Sequence, residues 1–247
     1  MRNIVLRRNA PFVYTFLSLI NAELDEAETL DGKKILDCGA GGPVPPLVLF
    51  HQQGLQTWGI DISDEQLQKA EAFCDQHGID MNLSAGDMRQ MSFEDETFDY
   101  VYEHYSMCHL TKKDTALAVG EMYRVLKKGG LCFLGVISAD TWPKSALGEE
   151  REPGEFWIRE HRDELEVHSV FTDEESDQLV SAWEIVGKEK VAKYLRGLAE
   201  QTSLEDWMDI YPEVQDDYSR DAWEEKYEKR VNEFQYAHTY YFLRKPA

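Results

Sequence analysis

Cysteine is scarce in this sequence, with four residues in 247 positions. Cys38, Cys74, Cys108 and Cys132 are scattered along the chain, and no two of them form a C-x-x-C pair. This distribution argues against a disulfide framework and against a zinc site made of cysteine pairs. Because cytoplasmic proteins rarely carry disulfides, the pattern favours a cytoplasmic location.

Basic residues are also few, because 26 Lys and Arg stand against 47 Asp and Glu and the net charge is −21. A surface of this charge repels phosphate backbones and anionic lipid headgroups. We therefore predict that neither nucleic acid nor a membrane is a partner, and we expect a small-molecule substrate. The oligomeric state cannot be read from these residues.

The sequence has no apolar run long enough to span a bilayer. Near the N-terminus, Arg7 and Arg8 precede the apolar stretch PFVYTFLSLI, in an order that resembles a signal peptide. Polar residues interrupt that stretch and an acidic segment follows it without a small-residue cleavage site. We predict a helix instead, with Pro11 in its first turn.

From Lys33 to Ile137, short apolar runs alternate with segments of helical period, a pattern typical of βαβ units around a parallel sheet. We predict one domain over residues 1–247 with an α/β, doubly wound, mostly parallel sheet. Its predicted parts are an N-terminal helical lid at 1–32, a cofactor-binding core at 33–138, a substrate-side segment at 139–170 and a helical acidic insertion at 191–235.

The predicted strands are KKILDCG, TWGIDI, MNLSAGD, FDYVYE, LCFLGVIS, VHSVF, WEIVGKEK and YAHTYYFLRK. A helix whose opening carries Pro43, Pro45 and Pro46 is expected to follow the first strand. Ser63 with Gln66 and Thr172 with Glu175 have the spacing of capping boxes that begin helices. Another helix is predicted from Thr111 to Lys128, where two glycines end it.

The segment ILDCGAGGP is the strongest functional signal, because an apolar strand ends in Asp37 and is followed by Gly39 and Gly41. Glycines at such a turn let the backbone approach a ligand closely, and the next helix begins with free amide donors. A glycine turn by itself is about as compatible with simple packing as with binding.

Two aspartates strengthen this interpretation. Asp61 ends the second predicted strand 24 residues after Asp37, close to the roughly 20-residue separation at which an acid binds ribose hydroxyls in nucleotide-binding sheets. Asp87 ends the third strand and can accept a hydrogen bond from an adenine amino group, with Met88 packing on the ring. The three features in this order predict an adenosine-containing ligand. A nicotinamide dehydrogenase is disfavoured, since its G-x-G-x-x-G motif requires a glycine where this chain has Val44.

With these residues the chain resembles the class I S-adenosylmethionine-dependent methyltransferases, and GIDIS, AGDMRQMSFEDETFDYVY and EMYRVLKKGG extend the likeness. The runs are most similar to quinone-ring and small-molecule methyltransferases. Pro43 replaces the third glycine of the family's first motif. The resemblance implies a seven-stranded Rossmann-like sheet whose last strand is antiparallel, with S-adenosylmethionine as cofactor and S-adenosylhomocysteine as product.

The resemblance also assigns residues to the site. Gly39, Ala40 and Gly41 would line the methionine part of the cofactor, Asp61 and Ile62 would hold the ribose side, and Asp87 and Met88 would flank the adenine. Glu103 and His104 would lie beside the cofactor after the fourth strand. The candidate substrate contacts are Tyr14, Tyr105 and Trp157.

The segment EHYSMCHL follows the fourth strand, where the family's substrates approach the methyl group. His109 matches a position that is often histidine in the family, which makes it a candidate general base or substrate-orienting donor. A structural histidine bonded to the backbone explains the residue equally well. Glu103, His104, Cys108 and His109 lack the spacing of metal ligands, so no metal is predicted.

Two other functions remain open at this point. The fold could serve as a non-catalytic S-adenosylmethionine-binding module. Alternatively, the acidic insertion could recruit a basic protein partner to a protein-modifying methyltransferase.

Overall fold

The centre of the fold is a mainly parallel sheet, seen in a computed structural model that describes residues 11–24, 29–141, 147–159, 165–194, 204–209, 219–225 and 235–247. In these ranges the strands are β1 Lys34–Cys38, β2 Gln56–Asp61, β3 Leu83–Ala85, β4 Phe98–Tyr102, β5 Leu126–Ser138, β6 Glu149–Glu152, β7 Glu155–Arg159, β8 Leu165–Phe171, β9 Glu184–Tyr194 and β10 Gln235–Arg244. The helices are α1 Pro11–Ala22, α2 Leu47–Gln52, α3 Asp64–His77, α4 Lys112–Val125, α5 Asp173–Leu179 and α6 Leu204–Asp209. Residues 220–225 are also helical, and Met107–His109 form a 3-10 turn.

Seven of the strands form the sheet in the order β3-β2-β1-β4-β5-β10-β9. The pairs from β3 to β5 are parallel, whereas β10 runs antiparallel to both β5 and β9. This confirms the predicted mostly parallel, seven-stranded sheet with an antiparallel last strand. The strand order reverses between β1 and β4, and at such a reversal a crevice forms outside the carboxyl ends of the strands.

Alternating side chains of the strands supply two apolar cores, one on each face of the sheet. In β1, Ile35 belongs to the core that includes α1 and α2, and Leu36 belongs to the core that includes α4. This alternation follows from the two-residue period of a strand. It confirms the doubly wound arrangement, and it points Asp37 toward the α1 and α2 side with Ile35.

A small antiparallel sheet extends from the end of β5. Ile137 and Ser138 pair with Val170 and Phe171 of β8, and β8 pairs with β7, which pairs with β6. The predicted strand VHSVF lies in β8, while β6 and β7 lie in a region for which no strand was predicted. The small sheet lies at the carboxyl ends of the strands of the main sheet, where the crevice also lies.

The helix ends largely follow the predicted signals. Ser63 accepts the N–H of Gln66 at the start of α3, and Gly78 ends that helix in the left-handed conformation. Thr172 and Glu175 form a reciprocal capping box at the start of α5. Pro11 begins α1, whose Phe12, Phe16, Leu17 and two further apolar residues are buried. No helix of the described residues has the length and apolarity needed to cross a membrane.

Three predicted bounds were wrong. The helix predicted to reach Lys128 ends at Val125, because Leu126 already pairs with Phe98 of β4. The prolines after β1 precede α2, which begins at Leu47. Val191–Tyr194, predicted as the helical start of the acidic insertion, continues β9 because these residues pair with β10. Most of the remaining insertion, at 195–203, 210–218 and 226–234, lies outside the described residues.

Candidate active site at the glycine turn

The turn after β1 packs closely against the end of the neighbouring strand β2. The N–H groups of Gly39 and Ala40 both donate to the carbonyl oxygen of Ile60, each at 2.9 Å. Gly39 has a φ of +135°, a conformation that favours glycine. A Cβ on residue 39 would also collide with the Ser106 side chain, so the turn and the loop after β4 approach each other closely.

Asp61 joins this turn from β2. Its Oδ2 accepts the N–H of Gly41 at 3.0 Å, and its Oδ1 accepts the N–H of Ser63 at 2.9 Å. A Cβ on residue 41 would lie 2.5 Å from Oδ2, so only glycine permits this approach. Each carboxylate oxygen has a second lone pair, and a pair of ribose hydroxyls is the kind of donor that those lone pairs could accept. Ile62 follows with 69% of its surface exposed, which leaves an apolar face beside the carboxylate.

Asp87 has a partner that sequence analysis missed. Arg89 donates to both carboxylate oxygens of Asp87 from its side chain, and its second branch reaches Asp114 at 3.0 Å. The hydrogen bonds from Arg89 lower the pKa of Asp87, so the carboxylate stays ionised. Met88 packs against the apolar core on the α4 side of the sheet.

Glu103 and Asp37 form the buried part of the site. Oε1 of Glu103 accepts the N–H groups of Ser106 and Met107, and Oδ2 of Asp37 accepts the hydroxyl of Tyr102. Within the described residues, Oε2 of Glu103 and Oδ1 of Asp37 are buried without a hydrogen-bond partner. Burial raises the pKa of Asp37 to about 8 and that of Glu103 to about 7.

The two carboxyl oxygens without a hydrogen-bond partner indicate which kind of ligand the site suits. A buried carboxyl without a partner is costly unless a donor or a cation completes it. S-adenosylmethionine carries a sulfonium and an ammonium group, both cationic. Two buried carboxyls beside a glycine turn and a strand-end aspartate therefore fit that molecule.

The loop after β4 also carries two aromatic candidates. Tyr105 has a φ of +68°, and its hydroxyl lies 2.7 Å from the hydroxyl of Tyr240 in β10. A non-glycine residue in this conformation is held there by its surroundings. The rings of His104 and Tyr105 meet edge to face at 4.5 Å. Tyr14, from α1, is partly buried and packs against the core that includes α1 and α2.

His109 ends the 3-10 turn beside β8. Its Nδ1 lies 3.4 Å from Oε2 of Glu166, and its ring centre lies 5.0 Å from that of His168. About 45% of the His109 side chain is exposed, so the imidazole is accessible from solvent. Glu166 and His168 are far from His109 along the chain, so no local sequence pattern predicts them as its neighbours.

The structure does not bring Trp157 and His109 together. Trp157 pairs with Val167, whereas Glu166 and His168 pair with Ile158 and Phe156. Paired residues of adjacent strands point to the same face, so Trp157 lies on the face of the small sheet opposite to Glu166 and His168. The guanidinium of Arg151 lies 5.6 Å from the Trp157 ring.

Part of the chain is similar in sequence to known methyltransferases. Residues 36–134 match a family model described as a methyltransferase domain. Over 103 residues the chain is 35% identical to sterol 24-C-methyltransferase from Saccharomyces cerevisiae, a match that covers 40% of this chain and 26% of that protein. The chain thus spans about a quarter of the length of the curated relatives that it matches.

Solved structures share the fold over nearly the whole chain. A structure described as S-adenosylmethionine-dependent methyltransferases, from Methanosarcina mazei, superimposes with a TM-score of 0.62 at 18% identity, covering 93% of this chain and 98% of that one. A phosphoethanolamine N-methyltransferase from Haemonchus contortus, solved with S-adenosylhomocysteine, gives a TM-score of 0.58 at 17% identity. That match covers 95% of this chain and 53% of the other.

Proposed function

We propose that the chain is an S-adenosylmethionine-dependent methyltransferase and that it transfers a methyl group from S-adenosylmethionine to a small-molecule nucleophile. The match of residues 36–134 to a methyltransferase domain supports this proposal. The observation that carries the proposal is the contact between the N–H of Gly41 and Oδ2 of Asp61. It brings the glycine turn and the ribose-binding acid to one point at the reversal of the strand order. The second lone pairs of the same carboxylate are placed to accept two ribose hydroxyls.

We assign the cofactor contacts as follows. Gly39, Ala40 and Gly41 face the methionine part, Asp61 and Ile62 face the ribose, and Asp87 and Met88 flank the adenine. Glu103 and His104 lie beside the methionine part, where Glu103 and Asp37 supply negative charge to a cationic ligand. Glu103 also positions the loop after β4, because its Oε1 holds the N–H groups of Ser106 and Met107.

Methyl transfer requires little covalent catalysis by the protein itself. Bound S-adenosylmethionine supplies a methyl group that is already activated on a sulfonium. The chain has to hold the acceptor in line and to exclude water. The hydroxyl of Ser106 donates to the carbonyl oxygen of Gly39 at 3.5 Å, so the loop after β4 lies against the glycine turn.

For an acceptor that must lose a proton, we assign His109 as the general base. Oε2 of Glu166 lies beside Nδ1 of His109 and can orient the imidazole, as a carboxylate does for other catalytic histidines. Tyr14 and Tyr105 are the proposed substrate contacts near this loop. Trp157 is retained as a contact only for an acceptor that reaches the opposite face of the small sheet.

A small-molecule acceptor is supported by two observations. The curated relatives include proteins named sterol C-methyltransferases, and the net charge of −21 disfavours nucleic acid. Cys38, Cys74 and Cys132 are buried thiols outside any disulfide, which agrees with a reducing compartment, and we propose the cytoplasm.

The decisive experiment has two parts. Calorimetry with S-adenosylhomocysteine should show binding to the wild type and to Asp75→Asn, and weaker binding to Asp61→Asn, which removes the same charge within the site. Incubation with S-adenosylmethionine and a metabolite pool should then release S-adenosylhomocysteine. Binding without release from any pool would favour the non-catalytic module. Folded protein without affinity for either compound would contradict the whole proposal.

The dependence of activity on ionic strength distinguishes a protein-modifying methyltransferase from one that acts on a small molecule. Turnover of a small molecule should change little with ionic strength, whereas recruitment of a basic protein through acidic residues should weaken steeply. Release of S-adenosylhomocysteine with a basic protein fraction, lost at high salt, would overturn the small-molecule assignment.

A further inference from the structure

His109, Glu166 and His168 converge from two separate elements. One ligand-type atom from each of the three side chains can be chosen so that all three atoms lie within 4.8 Å of one another. Nδ1 of His109 and Oε2 of Glu166 are 3.4 Å apart. In a tetrahedral site with bonds of about 2.0 to 2.1 Å, neighbouring ligand atoms are separated by about 3.3 Å. That pair already has the spacing of two ligands of one ion.

The backbone beneath these side chains is firmly held. Glu166 and His168 are two residues apart in β8, so they project from the same face of a strand that is fixed by its pairing with β7. The hydroxyl of Ser169 donates to the carbonyl of Leu110 at 2.6 Å, which ties the turn carrying His109 to β8. The pairing of β8 with β7 and the contact of β8 with the 3-10 turn therefore hold the three side chains close to one another.

His168 shows an additional feature of metal ligands. Its Nδ1 lies 3.4 Å from the carbonyl oxygen of Leu147. When Nδ1 carries the proton and donates to that carbonyl, the lone pair of Nε2 is available to an ion. Metal-binding histidines almost always donate their other N–H in this way, because the bond fixes the tautomer and the ring.

We propose that His109, Glu166 and His168 bind one zinc ion. Two imidazoles and one carboxylate are the protein ligands of catalytic zinc sites that leave a fourth position open to water or a small molecule. Here the side chains of His109 and Glu166 are 45% and 35% exposed, so the fourth position faces solvent. The net charge of −21 also favours accumulation of cations at the surface.

The sequence alone predicted no metal, because Glu103, His104, Cys108 and His109 lack the spacing of metal ligands. The present site arises only when β8 is placed beside the 3-10 turn. It goes beyond the proposed methyl transfer and does not rest on it. An ion and a proton would compete for the same imidazole of His109, so the zinc-bound protein would lack that base.

The test measures metal binding without any cofactor or substrate. The full chain is stripped with a chelator, and zinc is then titrated in competition with a chromophoric chelator. Wild type and His77→Ala, which removes a histidine of α3 far along the chain from the three ligands, should each bind one zinc ion. His168→Ala and Glu166→Gln should both lose this binding. Cobalt as a substitute ion should give the intense visible bands of a tetrahedral site in the wild type and in His77→Ala, but not in His168→Ala or Glu166→Gln.

Three results would overturn the proposal. The first is that the wild type fails to compete with the chelator for zinc. The second is that both ligand variants bind zinc as tightly as the wild type does. The third is that cobalt gives only weak octahedral bands. Circular dichroism of each variant shows whether it is folded. Glu166→Gln keeps the size of the side chain, so it remains informative if His168→Ala is unstable. Loss of zinc binding with normal binding of S-adenosylhomocysteine would separate this site from the cofactor site.

Discussion

Tyr102 donates its hydroxyl hydrogen bond to Asp37 across two adjacent parallel strands, with an oxygen to oxygen distance of 2.5 Å. The two residues are partners in the register of β1 and β4, which flank the reversal of strand order. One oxygen of Asp37 is thus satisfied and the other is left for a ligand. Neighbouring Glu103 also has one oxygen without a hydrogen-bond partner, so a bound cation would favour the ionised forms of both buried acids.

Cofactor binding should depend on pH for this reason. With raised pKa values of about 8 for Asp37 and about 7 for Glu103, both carboxyls bind protons below neutrality in the free protein. A cationic ligand prefers their ionised forms, so affinity for S-adenosylmethionine should rise between pH 6 and pH 9, with release of protons. Calorimetry in buffers of different ionisation enthalpy measures that release. Affinity that is constant over this range would show that neither acid faces the ligand.

Stability of the ligand-free protein should change in the opposite direction. Because the folded pKa of Asp37 exceeds its value of 3.8 in the unfolded chain, the folded state holds the extra proton, and stability falls as pH rises toward 8. Asp37→Asn remains neutral throughout. Its melting temperature should exceed that of the wild type at pH 8.5, and the difference should shrink at pH 5.

The control for this substitution is Tyr102→Phe, which removes the donor and leaves both oxygens of Asp37 without a partner. It should destabilise the protein by about 1 to 3 kcal/mol in chemical unfolding. An Asp37→Asn protein that is less stable than the wild type at pH 8.5 would mean that the acid is ionised and paired in the free protein.

Gly41→Ala should weaken cofactor binding more than it weakens the fold. The new methyl group would lie 2.5 Å from Oδ2 of Asp61 and 2.5 Å from Cβ of Gln66, so it must displace the acid from the turn. Loss of one hydrogen bond to a charged group corresponds to roughly 10- to 100-fold weaker binding. Calorimetry with S-adenosylhomocysteine measures the change.

Gly120→Ala is the matched control, since nothing lies within 4 Å of the added methyl group in the exposed middle of α4. Replacing a helical glycine by alanine should stabilise the protein by about 0.5 to 1 kcal/mol without altering cofactor affinity. Equal effects of the two substitutions on binding would remove Gly41 from the cofactor site.

His109→Ala tests the proposed base. For an acceptor that must be deprotonated, kcat should fall by roughly 10²- to 10⁴-fold while affinity for S-adenosylhomocysteine is unchanged. His77→Ala serves as the control and should keep wild-type turnover. If His109→Ala retains full turnover with such an acceptor, the histidine is structural.

Several parts of the site were predictable because they depend on neighbours in sequence. A strand, a glycine turn and a strand-end acid occur in order, and the confirmed parallel sheet places Gly41 and Asp61 in contact. Helix caps at Ser63 and Thr172 were equally local. The end of α4 was wrong because pairing of Leu126 with Phe98 overrides the glycines as a stop signal.

Other features had no local signal. The Arg89 bridge to Asp114, the hydroxyl contact of Tyr105 with Tyr240 and the approach of Glu166 to His109 join residues that are 25 or more positions apart. Trp157 was a candidate as an aromatic residue of the substrate-side segment, yet the register of β7 with β8 places it on the face opposite to Glu166 and His168.

The amino-acid order by itself determined the βαβ pattern, the glycine turn and the acids at the strand ends, since periodicity, turns and caps are interactions within a few residues. Only the tertiary structure decided which carboxyls are buried, how their protons are held, and which side chains meet around His109. Burial and electrostatics depend on distances in space, and these distances exist only after the strands have paired.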